Sequence, residues 1–277
     1  MTSVLNHNNH IRNNVKTLAM ACFVYITPVP WRNILCRLRK QSLITVINYH
    51  RVDNDNCDIN AVSPKNFDRQ MSFLKNNYTV ISIKELLERM KTGCNDQRLV
   101  VITFDDGYLD NFENAAPILK KYNFPACFFI SSGIVGTDKP FLHDMKRLGR
   151  KIPAMSWSHI RKLHGMGFEI GAHTINHVRL SQCDSGDLED EIVGSKDMIE
   201  EKINAEVSYF SHPHGLLSDV SSTALSIIKK TGFLCNFSAY GGLVQPRDDV
   251  FDIKRVGIPN HESLLFFRAW VEGWRTG

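Results

Sequence analysis

The sequence predicts an α/β fold, a closed or distorted (β/α) barrel of about seven to eight parallel strands. Three observations predict it. Eight short apolar runs recur between residues 43 and 258 with helical patterns between them, the alternation that builds parallel sheets. Several of these runs are apolar almost without interruption, as strands buried on both faces must be. No repeat, low-complexity tract or linker breaks the chain after residue 42, so a single barrel-sized domain absorbs all of it. An open doubly wound sheet is the other arrangement that these runs allow.

The runs are 43–49, 79–81, 99–104, 126–130, 168–172, 207–210, 234–238 and 253–258. Between them stand helix-start signals. Ser63 and Pro64 cap and open a helix whose Phe67, Met71 and Leu74 share one face, and Ser82 precedes "IKELLERM" with Glu85 at the capping-box position. "SWSHIRKLHGMG" ends in helix-stopping glycines, and 184–203 reads as one long acidic helix.

Charge is uneven along the 277 residues, whose formal net charge is +4. Residues 1–52 hold seven basic side chains and no acidic one, so the remainder carries a net −3 and is not a nucleic-acid-binding surface. Residues 17–31 are uncharged and mostly apolar, with the basic cluster Arg32 to Lys40 beside them. They are short for a membrane span, contain Pro28 and Pro30, and lack a clear cleavage site. The chain therefore divides into 1–42, a packed helix or a membrane-surface element, and 43–277, the α/β domain. Peripheral membrane contact through residues 12–40 is the corresponding partner expectation. The seven cysteines are odd in number and form no CxxC pair, which argues against a disulfide framework or a cysteine zinc site and for a reducing, cytoplasmic setting, including the inner face of a membrane. Secretion is the less favoured setting.

Barrels of this kind gather chemistry at the C-terminal ends of their strands. Polar residues follow four of the runs there: His50 after "LITVINY", Asp105 and Asp106 after "LVVITF", His173 after "FEIGA", and "SHPHG" after "VSYF". Two adjacent carboxylates at the end of a buried strand repel one another and need a compensating cation. In "HTINH", His173 and His177 are four apart, which on a helical turn puts both imidazoles on one face. Two histidines and one aspartate would give a divalent ion three protein ligands and leave positions for water and substrate. Gly107 allows the backbone to change direction so that both carboxylates face the mouth, and the second could act as general base. The plainer alternative is that the aspartates only cap the next helix, which accounts for one better than for two.

"TFDDGYLDN", "HTINH" and "FSHPHG", in this order and strand context, resemble the metal, base and loop motifs of the polysaccharide deacetylases, the NodB-homology enzymes of carbohydrate esterase family 4. The resemblance covers about residues 43–260 and is nearest the permuted poly-N-acetylglucosamine deacetylase-like subgroup, in which the strand of the acid comes first. It implies a distorted barrel and the hydrolysis of N-acetyl groups on amino sugars of a poly- or oligosaccharide or glycan precursor. It also implies that Asp105 is the catalytic base, that Asp106, His173 and His177 are zinc ligands, and that His50 is the general acid, with His261 the competing acid. His214 and Tyr108 fall on the substrate and oxyanion side, where the His214 backbone N–H would hold the oxyanion. Ser211 stands where the family has an arginine, and Arg255 is the candidate substitute for orienting Asp105. The ligand types favour zinc and also admit cobalt or nickel. Two other readings stay open: a glycan-binding protein on the same fold, and another metal-dependent amidase or esterase with His212 or His214 as a ligand. Sugar, linkage, chain length and oligomeric state are not encoded in any motif.

Overall fold

The computed structural model describes residues 42–261 and 263–273, together with Ala19, Cys22, Leu35 and Leu38. The expected membrane element, apart from those four positions, lies outside the described residues. Among the described residues no helix is long and apolar enough to cross a membrane. The six described cysteines are free thiols.

All eight runs become strands or pair as strands do. The first is β1 (Ile44–Tyr49), followed by a small parallel pair, β2 (Arg51–Val52) and β3 (Ala61–Val62). Helix α1 (Pro64–Asn77), β4 (Thr79–Val80) and α2 (Ile83–Thr92) lead to β5 (Leu99–Phe104). Then come α3 (Ala116–Tyr122), β6 (Cys127–Ile130), α4 (Leu142–Leu148), α5 (Trp157–Gly165) and β7 (Glu169–Ala172). The remainder is α6 (Ser185–Glu189), α7 (Ser195–Ile203), β8 (Tyr209–Ser211), α8 (Ser222–Lys230), β9 (Cys235–Phe237), β10 (Val256–Gly257) and α9 (Leu264–Val271).

The main sheet runs β10-β1-β5-β6-β7-β8-β9, entirely parallel, with β4 paired to the start of β5. Its two edges are joined by one stretch of chain. Ile253 bridges in parallel to Phe237 of β9, and three residues later Val256 pairs with Ile47 of β1. The sheet is therefore a distorted (β/α) barrel, not an open doubly wound sheet.

Strand parity builds its two apolar layers. Val100, Ile102 and Phe104 of β5 pack outward with α1 and α3, while Leu99 and Val101 join Phe129 of β6 and Phe237 of β9 in a second, inner cluster. Ile83, Leu86 and Met90 of α2 belong to that inner cluster as well.

Two helix expectations change in detail. Ser82 accepts from the Glu85 N–H (3.2 Å), but the Glu85 carboxylate pairs with Arg89 one turn on, so the capping box is half made. Glu169 on β7 adds a second cap at the same helix end, receiving the Ile83 N–H (3.0 Å). The 184–203 stretch is helical throughout, yet a π turn at Asp190–Gly194 separates α6 from α7. That extra residue per turn re-aims Glu191.

Candidate active site

Register places the first two groups. β1 and β5 pair from Ile44↔Leu99 through Tyr49↔Phe104 and end together, so His50 and Asp105 leave the sheet side by side, with the Asp105 N–H on the Tyr49 carbonyl (3.0 Å). Asp105 continues the inward parity of Val101 and Thr103. It is met there by Arg255, which is wholly buried and lies 150 residues away in sequence. The guanidinium grips the carboxylate with both terminal nitrogens (2.8 and 2.7 Å), and the Asn48 amide adds a third bond (2.9 Å). Arg255 also donates to the Ser238 carbonyl (2.9 Å) and to the Ser211 hydroxyl (2.7 Å). Ser211, short enough to leave room, thus faces a guanidinium that arrives from the far side of the barrel. Burial by itself raises the Asp105 pKa. Arg255, with His173 and His50, outweighs that and holds it at about 2.

Parity alone would turn Asp106 outward. Its φ of 76°, followed by 98° at Gly107, reverses the backbone and brings the second carboxylate to the mouth. A side chain at Gly107 would meet Val135 at 2.8 Å, so the turn needs glycine on steric as well as torsional grounds. His177 and His214 also adopt left-handed backbone (φ 55° and 65°). Such torsions cost on the order of 1–3 kcal/mol each and persist only where the surroundings enforce them.

Asp106, His173 and His177 converge so that one ligand atom from each lies within 4.8 Å of the others. His173 Nε2 is 3.4 Å and His177 Nε2 is 3.1 Å from Asp106 Oδ1. The donor pattern shows that a cation fits. His173 Nδ1 lies 2.6 Å from the Ser211 carbonyl, which can only accept, so Nδ1 carries the proton and a neutral imidazole turns the lone pair of Nε2 toward Asp106. Both carboxylate oxygens of Asp106 are buried without a hydrogen-bond donor. A lone pair facing a buried carboxylate is unfavourable until a positive charge lies between them.

His50, Asp105, Asp106, His173, His177, His214 and Arg255 all line one cleft of about 360 Å³ at the C-terminal ends of the strands. His50 is half-buried on its wall. Burial, with His177 and Arg179 nearby, pushes the His214 imidazole down to about 4, so it is neutral at ordinary pH. His212 is excluded as an ion ligand because its nitrogens lie against Asn236 and the Leu216 carbonyl (3.3 and 3.2 Å).

Two expected residues are elsewhere. His261 stacks on Phe266 (centroids 3.8 Å) and accepts the Ser263 N–H at Nδ1. It does not line the cleft, because the chain after β10 turns away toward α9. Tyr108 is 1% exposed and is also absent from the cleft wall. The reversal at Asp106 and Gly107 drives its ring against Phe141 (4.9 Å), and its hydroxyl is committed to Asp144 Oδ2 (2.7 Å) and His143 Nε2 (2.9 Å).

Sequence reasoning missed three supports. Glu191, re-aimed by the π turn, accepts the N–H groups of Ile175 and Asn176 (2.8 and 2.9 Å) and so holds the "HTINH" loop. His143 enters the cleft from α4, 3.7 Å from Asp106 Oδ2. Arg147 binds Asp144 (2.6 Å) and Asp58, and Asp58 also receives Arg51 (3.0 Å). An acidic residue and a histidine inside helices carry no sequence signal for these tasks.

Comparison with known proteins gives the family and agrees with the fold. The model of the family described as polysaccharide deacetylase matches residues 92–235. The putative polysaccharide deacetylase YxkH of Bacillus subtilis is 25% identical over 242 residues, covering 86% of this chain and 80% of that protein. A poly-beta-1,6-N-acetyl-D-glucosamine N-deacetylase of Staphylococcus aureus is 26% identical over 255 residues, covering 83% of this chain and 84% of that protein. The solved structure of IcaB from Ammonifex degensii shares the fold, with a TM-score of 0.70 and 24% identity over 83% of this chain and 97% of that one.

Proposed function

The chain belongs to the polysaccharide deacetylase family, and from that premise we propose that it is a metal-dependent hydrolase that removes N-acetyl groups from amino sugars of a poly- or oligosaccharide or glycan precursor, releasing acetate. The observation that carries the reading is the pairing, in one cleft, of a carboxylate held ionised by a buried arginine with an Asp-His-His group suited to a divalent ion. The name of the Staphylococcus aureus relative supports the choice of an N-acetylated amino sugar.

Asp106, His173 and His177 would hold the ion, zinc by ligand type with cobalt and nickel also accommodated. When bound, the ion would polarise the acetyl carbonyl and lower the pKa of the attacking water toward neutrality, easing transfer of its proton to a carboxylate. Asp105 is that acceptor. Arg255 and Asn48 fix both of its oxygens, so the base keeps one orientation while it takes up the proton. The His214 N–H, which meets no acceptor among the described residues, donates to the developing oxyanion. His50, beside Asp105 by strand register, donates the proton that the departing amine requires. The products are acetate and a free amino sugar.

An acetate-release assay on a panel of N- and O-acetylated glycans, with and without chelator, tests the proposal. Chelator-sensitive release from an N-acetylated sugar is expected. Tight binding of chitooligosaccharides with no acetate released by the metal-loaded protein would establish the glycan-binding alternative instead.

A further inference from the structure

We propose that His212 is a positioning residue whose imidazole closes the turn around His214 and so fixes the direction of the His214 backbone N–H. The inference rests on the hydrolase reading, in which that N–H receives the oxyanion, and it gives a task to a histidine that the sequence offers only as an alternative ion ligand.

The hydrogen-bond directions are forced by the partners. His212 is buried, and its Nε2 lies 3.2 Å from the Leu216 carbonyl, which can only accept, so Nε2 carries the proton. Nδ1 is then an acceptor, and the Asn236 amide nitrogen donates to it (3.1 Å). The second hydrogen of that amide goes to the Phe251 carbonyl (3.0 Å), which fixes the orientation of Asn236 and through it that of the imidazole. Both ring nitrogens are thereby committed, one to each side.

The bond from Nε2 spans the turn. Between His212 and Leu216 stand His214 and Gly215, both in left-handed backbone (φ 65° and 79°). Glycine adopts that conformation freely, but at His214 it persists only where the surroundings enforce it. The chain is fastened outward on both sides. The His212 N–H meets the Phe237 carbonyl (3.3 Å), the Gly215 carbonyl receives the Ala239 N–H (2.8 Å), and the Leu216 N–H goes to Asp219 Oδ2 (2.9 Å). None of these bonds crosses the turn itself, and Pro213 has no N–H to offer. Among the described residues, the His212 imidazole is what joins the chain before His214 to the chain after it. A donor to a developing oxyanion works by being held where the charge will appear, so a turn that shifts lowers turnover and leaves substrate binding in place.

Two polar substitutions separate the two ends of the ring. The side-chain nitrogen of glutamine reaches the place of Nε2, and that of asparagine only the place of Nδ1. Acetate release by the zinc-loaded full chain is measured for wild type, His212→Gln and His212→Asn, with zinc affinity by chelator competition and amide hydrogen exchange across 213–220. His212→Asn, which cannot reach Leu216, is expected to lower kcat about 10–100-fold with KM within about twofold of wild type. Its exchange across 213–220 should speed up while its zinc affinity stays at the wild-type level. His212→Gln, which restores the donor to Leu216, is expected to keep kcat within about threefold of wild type and to exchange as wild type does. Wild-type kcat in His212→Asn overturns the inference, because the closed turn is then not needed. Equal losses in the two variants overturn it as well, by assigning the effect to lost packing, as does a loss confined to KM or one matched by lost zinc. Failure of the wild type to release acetate from any acetylated glycan would instead overturn the hydrolase reading and the inference with it.

Discussion

Replacing Arg255 by methionine removes the guanidinium that grips Asp105 and keeps the apolar length of the side chain. The arginine is 0% and Asp105 3% exposed, so water does not take over the lost contacts. Breaking a buried ion pair from one side costs about 3–5 kcal/mol, because the remaining charge is left unpaired. The pH dependence gives a second, independent magnitude. Burial raises the Asp105 pKa, and Arg255 foremost, with His173 and His50, more than reverses this, lowering it from 3.8 to about 2. A depressed carboxylate contributes stability that is complete above the unfolded-state value and lost as pH falls through the folded one. The contribution, about 2 kcal/mol, should therefore be present at pH 5 and gone near pH 2. Denaturant unfolding of metal-free wild type and Arg255→Met across that range measures both quantities. The variant should be less stable at pH 5, and the gap should narrow by about that amount on acidification. Turnover should fall by a hundredfold or more while zinc affinity changes little, because the ion ligands do not touch Arg255. A variant within about 1 kcal/mol of wild type at pH 5, with a parallel pH profile, would refute the assignment of Arg255 as the partner that orients the base.

Asp105→Asn should retain zinc and lose nearly all turnover, whereas Asp106→Asn, His173→Ala or His177→Ala should lose the metal, as read by chelator competition; an active Asp105→Asn protein would sink the base assignment. His50→Ala should slow acetate release by about a hundredfold or more, and His261→Ala should not, given its stacking on Phe266 away from the cleft. Steady-state rates for the two variants decide between them, and the reverse order would exchange the acid. Glu191→Gln weakens the acceptor of two backbone N–H groups in the 173–177 loop. It should cost about 1–3 kcal/mol in denaturant unfolding and loosen zinc binding; an unchanged unfolding midpoint would show that Glu191 does not hold the loop.

The strands and the polar residues at their ends were readable because both are local. A strand buried on two faces needs consecutive apolar residues, and those in 99–104 have no other arrangement that hides them. The order of strand, Asp-Asp-Gly and reversal lies within four positions, so spacing alone predicts that both carboxylates can face the mouth, and the resemblance to the family supplies which is base and which is ligand. Glu85 shows where local reasoning stops. Its spacing from Ser82 is that of a capping box, but Arg89 one turn away competes for its carboxylate, and Glu169, more than eighty residues later, adds the second cap. Propensity registers the first two residues and is blind to the third.

By itself the sequence determined the alternation of strands and helices, the strand-end positions of His50, Asp105, Asp106 and His173, and the family. Each depends on residues near one another in the chain, where spacing converts directly into geometry. Only the tertiary structure decided which distant groups meet them. Closure of the barrel through 253–257 carries Arg255 onto Asp105 across 150 residues and seats its guanidinium on Ser211, where the family has an arginine of its own. The turn after β10 stacks His261 on Phe266, and the reversal at Asp106 sends Tyr108 inward to Asp144. The physical reason is common to all three. A side chain's partner is fixed by packing around the whole barrel, and neither composition nor periodicity specifies which strand end will face which across the mouth.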